Sequence, residues 1–152
     1  MPAPITGRTS DGKTIYSQIP WETPPGTSVK LSIDNGSPFE LLNKEFTVIA
    51  YAPEFVVGPF HQDWSGIVSL ASPARPGEAI HFYILGLGPV DPPVKDGEPG
   101  PTSPLSLVTT PVQCNAPVLF AGLAPGLIGF YQLDVHLPLT GLGNFELSCV
   151  KS

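Results

Sequence analysis

Apolar residues in this chain recur at alternate positions far more often than at helical spacing. Val29, Leu31 and Ile33 alternate with Ser28, Lys30 and Ser32, which predicts a strand over Ser28–Ile33 with one face covered. Asp34-Asn35-Gly36 follows, and Asn-Gly tolerates positive φ, so a hairpin-type turn is expected there. Further strands are expected at Thr14–Trp21, Phe46–Tyr51, Ala79–Leu85, Leu105–Val112, Ala116–Ala121, Gly126–Leu137 and Asn144–Val150. Short strands at this spacing predict an all-β sandwich.

The stretches between the strands carry turn chemistry. Residues 1–13 are polar and turn-rich and read as a flexible N-terminal arm. Pro53–Gly66 reads as a loop with aromatic residues Phe55, Phe60 and Trp64, and with His61. Ser72-Pro73-Ala74-Arg75-Pro76-Gly77 is a stiff connector, and Gly86-Leu87-Gly88-Pro89 is a turn. Residues 89–104 contain Pro89, Pro92, Pro93, Pro99, Pro101 and Pro104, which predicts an extended surface loop. A faint internal echo links Ile15–Trp21 with Phe130–Pro138. Each is a strand ending in proline, then a glycine turn and an alternating strand.

Composition supports this picture. The 152 residues include 20 Pro and 16 Gly, spaced as punctuation between apolar stretches. Mean hydropathy is +0.16, and no apolar run approaches the roughly 18 residues of a membrane span. Net charge is −6 and the seven Lys and Arg stand singly. Phosphate recognition needs clustered cations, so nucleic acid and anionic membrane surfaces are not expected partners. Met1-Pro2-Ala3-Pro4 has neither the basic start nor the apolar stretch of a secretory signal. The start is read as that of a trimmed or mature piece, with a cytosolic chain as the other reading.

Candidate chemistry is sparse. His61, Asp63 and Trp64 form the best polar and aromatic cluster. A Trp that stacks on a sugar face with an Asp that binds hydroxyls would make a glycan platform; a Trp plugging the sandwich end is the bland reading, and the favoured one. His81, between Ile80 and Phe82, is expected to face solvent or satisfy a backbone carbonyl, and His136 likewise. No HxH or HExxH spacing occurs, so no metal site is assigned. Asp91, Asp96 and Glu98 are the weaker thought, a calcium loop without enough converging oxygens. No GxSxG, phosphate-cradling GxxxxGK[ST] or paired carboxylates are present, so no catalytic residue and no cofactor are assigned, and the chain is read as not an enzyme. Cys114 and Cys149 lack CxxC spacing. They are either two buried thiols or one cross-link closing a loop of about 35 residues, for which chain entropy gives about 3–4 kcal/mol.

Several segments together resemble one family. Gln18-Ile19-Pro20-Trp21-Glu22 is similar to its QIPWE strand, and Ala52-Pro53-Glu54-Phe55 to its APGIF corner. Pro73-Ala74-Arg75-Pro76-Gly77-Glu78 leading to Gly86-Leu87-Gly88-Pro89 resembles its PA-x-x-GE … GLGP hairpin, and Phe120-Ala121-Gly122-Leu123-Ala124-Pro125-Gly126 matches most closely. Over residues 14–150 the chain thus resembles the Ig-like C-terminal module of secreted acidobacterial (Solibacter-type) proteins. The resemblance implies an Ig-like, Greek-key β-sandwich, export to an extracellular or cell-surface location, and hence a Cys114–Cys149 disulfide. It implies no activity.

Set against that family, residues 14–55 look like the closing strands of one unit and 66–152 like most of the next, packing as one fused sandwich or as two pieces. The family's final strand, beyond the one holding Cys149, is expected to be missing here. An uncovered edge would then be completed by the front strands or by a neighbouring chain, with residues 2–14 as donor arm. The expected function is a non-catalytic extracellular structural or assembly module, self-associating into a surface filament by strand complementation. The alternative is a carbohydrate-binding or adhesion module of a larger secreted protein. Expected partners are protein, from self-association or the parent protein's other domains, and for the alternative a glycan.

Overall fold

The computed structural model describes residues 3–33, 42–140 and 143–151. Its regular elements are all strands, and the fold class expected from the sequence, an all-β sandwich, is the one found. The expected Asp34-Asn35-Gly36 turn lies outside the described residues.

The described residues form twelve strands: β1 (Ile5–Arg8), β2 (Ile15–Ser17), β3 (Ser28–Ile33), β4 (Leu42–Thr47), β5 (Glu54–Phe60), β6 (Ala79–Leu85), β7 (Val90–Asp91), β8 (Leu107–Val108), β9 (Val112–Cys114), β10 (Val118–Leu123), β11 (Tyr131–His136) and β12 (Cys149–Lys151). The main sheet has six strands in the order β5-β6-β11-β10-β8-β7. Three two-stranded sheets accompany it: β1-β2, β3-β4 and β9-β12.

The core follows from the register. Leu133 pairs with Phe82, Val135 with Ile80 and Tyr131 with Ile84, so these six side chains share one face of the sheet. Leu123 joins them opposite Tyr131. Leu87, Val90 and Ala116 close the cluster, and Trp21, Val112, Cys114, Leu147 and Cys149 pack against it. The β9-β12 pair therefore lies over the inner face as the second layer. Cys114 and Cys149 stand opposite one another in that pair and are joined by a disulfide, the pairing the resemblance implies. The Tyr131 hydroxyl donates to the Gly88 carbonyl, and burial pushes its proton affinity far up.

Several expectations are corrected. Pro53–Gly66 is not wholly loop, because β5 occupies Glu54–Phe60. Gly58-Pro59 lies within this strand. In the structure it falls where the β5–β6 register shifts, on an edge strand, where a residue without an N–H is tolerated. The proline-rich run at 89–104 is largely exposed, as a surface loop is expected to be, but it is pinned at two points. Val90 is buried, β7 pairs with β8, and Gly100 is bonded to Leu127 and Gly126. A Cβ at Gly100 would come within 2.4 Å of the Ala124 carbonyl oxygen, so this close approach requires glycine.

Strand limits shift elsewhere. Phe46–Tyr51 gives way to Leu42–Thr47 and Asn144–Val150 to Cys149–Lys151. Leu105–Val112 breaks into β8 and β9 ahead of Pro111, and Ala116–Ala121 moves to Val118–Leu123. Thr14–Trp21 contracts to Ile15–Ser17, and its remainder docks elsewhere. Gln18 accepts from the Gly97 N–H and Asp96 from the Trp21 N–H. Ile5–Arg8, read as part of a polar arm, is a strand hydrogen-bonded to β2. The main sheet draws on both sides of the 55/66 division, since β5 pairs with β6.

Candidate functional site

Alternation puts Ile80, Phe82 and Ile84 of β6 inward, so His81 and Tyr83 point to the opposite, outer face. On β11 the same rule turns Gln132 and Asp134 outward, opposite Tyr83 and His81. His81 Nδ1 lies 2.8 Å from Asp134 Oδ1, and its Nε2 lies 3.3 Å from the Gln62 carbonyl oxygen. Both ring nitrogens thus meet oxygen atoms, one of a carboxylate and one of a backbone carbonyl. Asp134 also accepts from Gln132 Nε2, at 2.9 Å to Oδ1 and 3.0 Å to Oδ2.

Trp64 lies flat over this pair. Its ring stacks on His81 at 4.3 Å with an interplanar angle of 5°, and it meets Tyr83 at 6.0 Å and Phe60 at 5.7 Å. His81 is buried beneath it, while Trp64 remains 47% exposed. Burial, then the Asp134 charge, push the Tyr83 hydroxyl upward in proton affinity.

A tight turn delivers the indole. His61 N–H donates to the Gly66 carbonyl and Trp64 N–H to the His61 carbonyl. Asp63 Oδ1 accepts from the Ser65 N–H at 2.9 Å. The Ser65 hydroxyl and N–H hold the Asp63 carboxyl below the usual range. Trp64 has φ of 58°, a left-handed backbone that a bulky residue rarely adopts.

His61 turns away from that surface into a second cluster. Its Nδ1 lies 2.9 Å from Glu78 Oε1, and its Nε2 lies 3.0 Å from Ser72 Oγ and 3.2 Å from the Ser72 carbonyl oxygen. Hydroxyl, imidazole and carboxylate in this order match the arrangement that activates a serine nucleophile. Two features argue for a clasp instead. The Ser72 N–H is already bonded to the Ser69 carbonyl and hydroxyl, so it offers no donor to an oxyanion. Glu78 also accepts from the Gln62 N–H at 3.1 Å and the Arg75 N–H at 2.7 Å, so it ties the 61–62 turn to the turn at Arg75. Burial raises the Glu78 carboxyl, but these hydrogen bonds and His61 outweigh it and leave it below its usual value.

The expected trio of His61, Asp63 and Trp64 is thus divided. His61 belongs to the clasp, Asp63 to its own turn, and Trp64 to the outer face. His81 meets a backbone carbonyl, as one reading expected, but does not face solvent. Among the described residues, no group of three or more His, Cys, Asp or Glu could hold a metal, and Asp96 instead accepts from the Trp21 N–H. Gln132, Asp134 and Tyr83 escape notice in the sequence. Their signal is the polar half of the alternation in Tyr131–His136 and Ala79–Leu85, which becomes a site only when the two strands are set in register. No family model, curated protein or solved structure matches the chain.

Proposed function

We propose that this chain is a non-catalytic structural module of an extracellular protein, self-associating with a second copy of the chain through the open half of β5. One observation carries the reading. β5 is an edge strand of the main sheet, and Phe55, Val56 and Val57 on it are exposed. Beyond Phe60 the edge is closed, because Phe60 bridges to Ile67 and Val68 N–H donates to the Pro59 carbonyl. Over Glu54–Val57 no described strand lies outside β5, which leaves a short apolar edge able to accept a strand. Because Ile5–Arg8 is already paired within the chain, the joining surface moves from the N-terminal arm to this edge.

Two further features support a shape-holding role in an oxidising compartment. The second layer carries a disulfide, and the histidines with the most evident chemical potential, His61 and His81, are committed to fixing loops and the sheet face. Among the described residues no helix is long and apolar enough to cross a membrane.

Light scattering on size-exclusion fractions tests the proposal with the wild type and Val56→Lys. Concentration-dependent association that Val56→Lys abolishes is expected, since an inserted charge blocks strand addition. A wild type that stays monomeric at high concentration, or a variant that associates equally, would overturn it.

A further inference from the structure

We propose that the outer face of the main sheet around Trp64 is a binding platform for a neutral oligosaccharide chain. This does not depend on the edge-strand reading, which uses a different strand and different chemistry.

The first observation is backbone strain. Trp64 sits at φ 58° in a turn already closed by the hydrogen bonds of His61, Asp63 and Gly66. Gly or Asn would occupy that position with less strain. The turn itself therefore does not explain an indole; the surface the indole creates does.

The second observation is the form of that surface. One face of the Trp64 ring is pressed on His81 at 4.3 Å and 5°, yet 47% of the residue remains exposed, so the other face is turned to solvent. Phe60 and Tyr83 stand within about 6 Å on its flanks, at 5.7 Å and 6.0 Å between ring centroids. The indole is thus held flat and in a fixed orientation before any ligand arrives, which lowers the ordering cost of binding. A flat, fixed ring face suits the C–H face of a pyranose.

The third observation is the polar rim. Among the described residues, the Tyr83 hydroxyl and the Gln132 side-chain carbonyl have no hydrogen-bond partner, and Asp134 Oδ2 accepts only from Gln132. A phenol, an amide and a carboxylate beside ring faces match the alternating C–H and O–H groups of a sugar. A second strand is a poor fit here, because β6 and β11 have neighbours on both sides and no free backbone. An anionic glycan is disfavoured by Asp134 and by the net charge of −6. The surface is flat, so it fits a chain lying across it and not a small molecule enclosed in a cavity.

The test is titration calorimetry with neutral β-linked hexasaccharides of glucose, xylose, mannose and N-acetylglucosamine, with hexagalacturonate as the anionic comparison. The wild type, Trp64→Gly and Gln132→Ala are compared, and circular dichroism checks that each is folded. At least one neutral hexasaccharide is expected to bind, with affinity reduced tenfold or more in Trp64→Gly and threefold or more in Gln132→Ala. No binding by the wild type, equal binding by Trp64→Gly, or a preference for hexagalacturonate would overturn the assignment. Should Trp64→Gly fail to fold, Gln132→Ala decides alone, and unchanged affinity in it overturns the platform.

Discussion

The strands before residue 50 and those after residue 78 obey the same period of two, but they live in different surroundings. On β2, Ile15 is 45% and Tyr16 53% exposed, whereas on β11 Leu133 and Val135 are 1% and 0% exposed. β3 and β4 pair over six residue pairs, from Ser28–Thr47 to Ile33–Leu42, yet Phe46 is still 38% exposed. Pairing satisfies backbone groups; it does not by itself remove side chains from water. That requires a second layer, which β9-β12, Trp21 and Leu147 provide for β6 and β11. A lone two-stranded ribbon is marginal in water for the same reason.

The contrast is sharpened by cutting each region at an equivalent position. Leu133→Ala empties a site in the core and is expected to cost about 2–5 kcal/mol. Leu31→Ala, on a half-buried face of the β3-β4 ribbon, is expected to cost about 1 kcal/mol or less. Urea unfolding of both variants measures the gap. Comparable losses would mean that the ribbon is part of the cooperative core.

Removing the cross-link with Cys114→Ser and Cys149→Ser tests the second layer itself. The loss is expected to be about 3 kcal/mol, because the unfolded chain regains the freedom of a 35-residue separation. Hydrogen exchange should locate it: protection falls across Val112–Cys114 and is unchanged across Ser28–Ile33. Equal loosening of both segments would join the two regions that the burial pattern separates.

The same contrast explains what was legible beforehand. Ser28–Ile33 and Ala79–Leu85 are found at their expected limits because their alternation or apolar content is uninterrupted. β5 was hidden by Gly58-Pro59, whose proline suits an edge position that only the sheet order identifies. Val90 and Gly100 read as part of an extended surface loop, because proline density says nothing about which sheet a segment is laced to. The site suffered most. Trp64 could be singled out by type, but His61 and Asp63 next to it in sequence point elsewhere. Its real neighbours are His81 and Tyr83, from β6, with Asp134 and Gln132 at the rim from β11. Local sequence locates a turn; register decides which side chains meet across it.

The one pH-dependent effect concerns the clasp that ties the 61–78 segment to the first residues of β6. Glu78 accepts from His61, Gln62 and Arg75, and its carboxyl is held below the ordinary glutamate value of 4.5. A lowered folded-state value means the folded form favours the ionised carboxylate. Its stabilising contribution is therefore complete above the unfolded value and is lost as pH falls through the folded one. Glu78→Gln keeps the size but removes the charge, and is expected to cost about 2 kcal/mol at neutral pH, where charge-assisted bonds become ordinary ones. That deficit should shrink as pH drops below 4.5, because the wild-type carboxyl gains its own proton there. Thermal unfolding of both proteins from neutral to acid pH measures the convergence. A deficit that stays near zero at every pH would show that Glu78 acts by filling space alone. The clasp would then be packing like that of the core, and the electrostatic tie between loop and sheet would be lost.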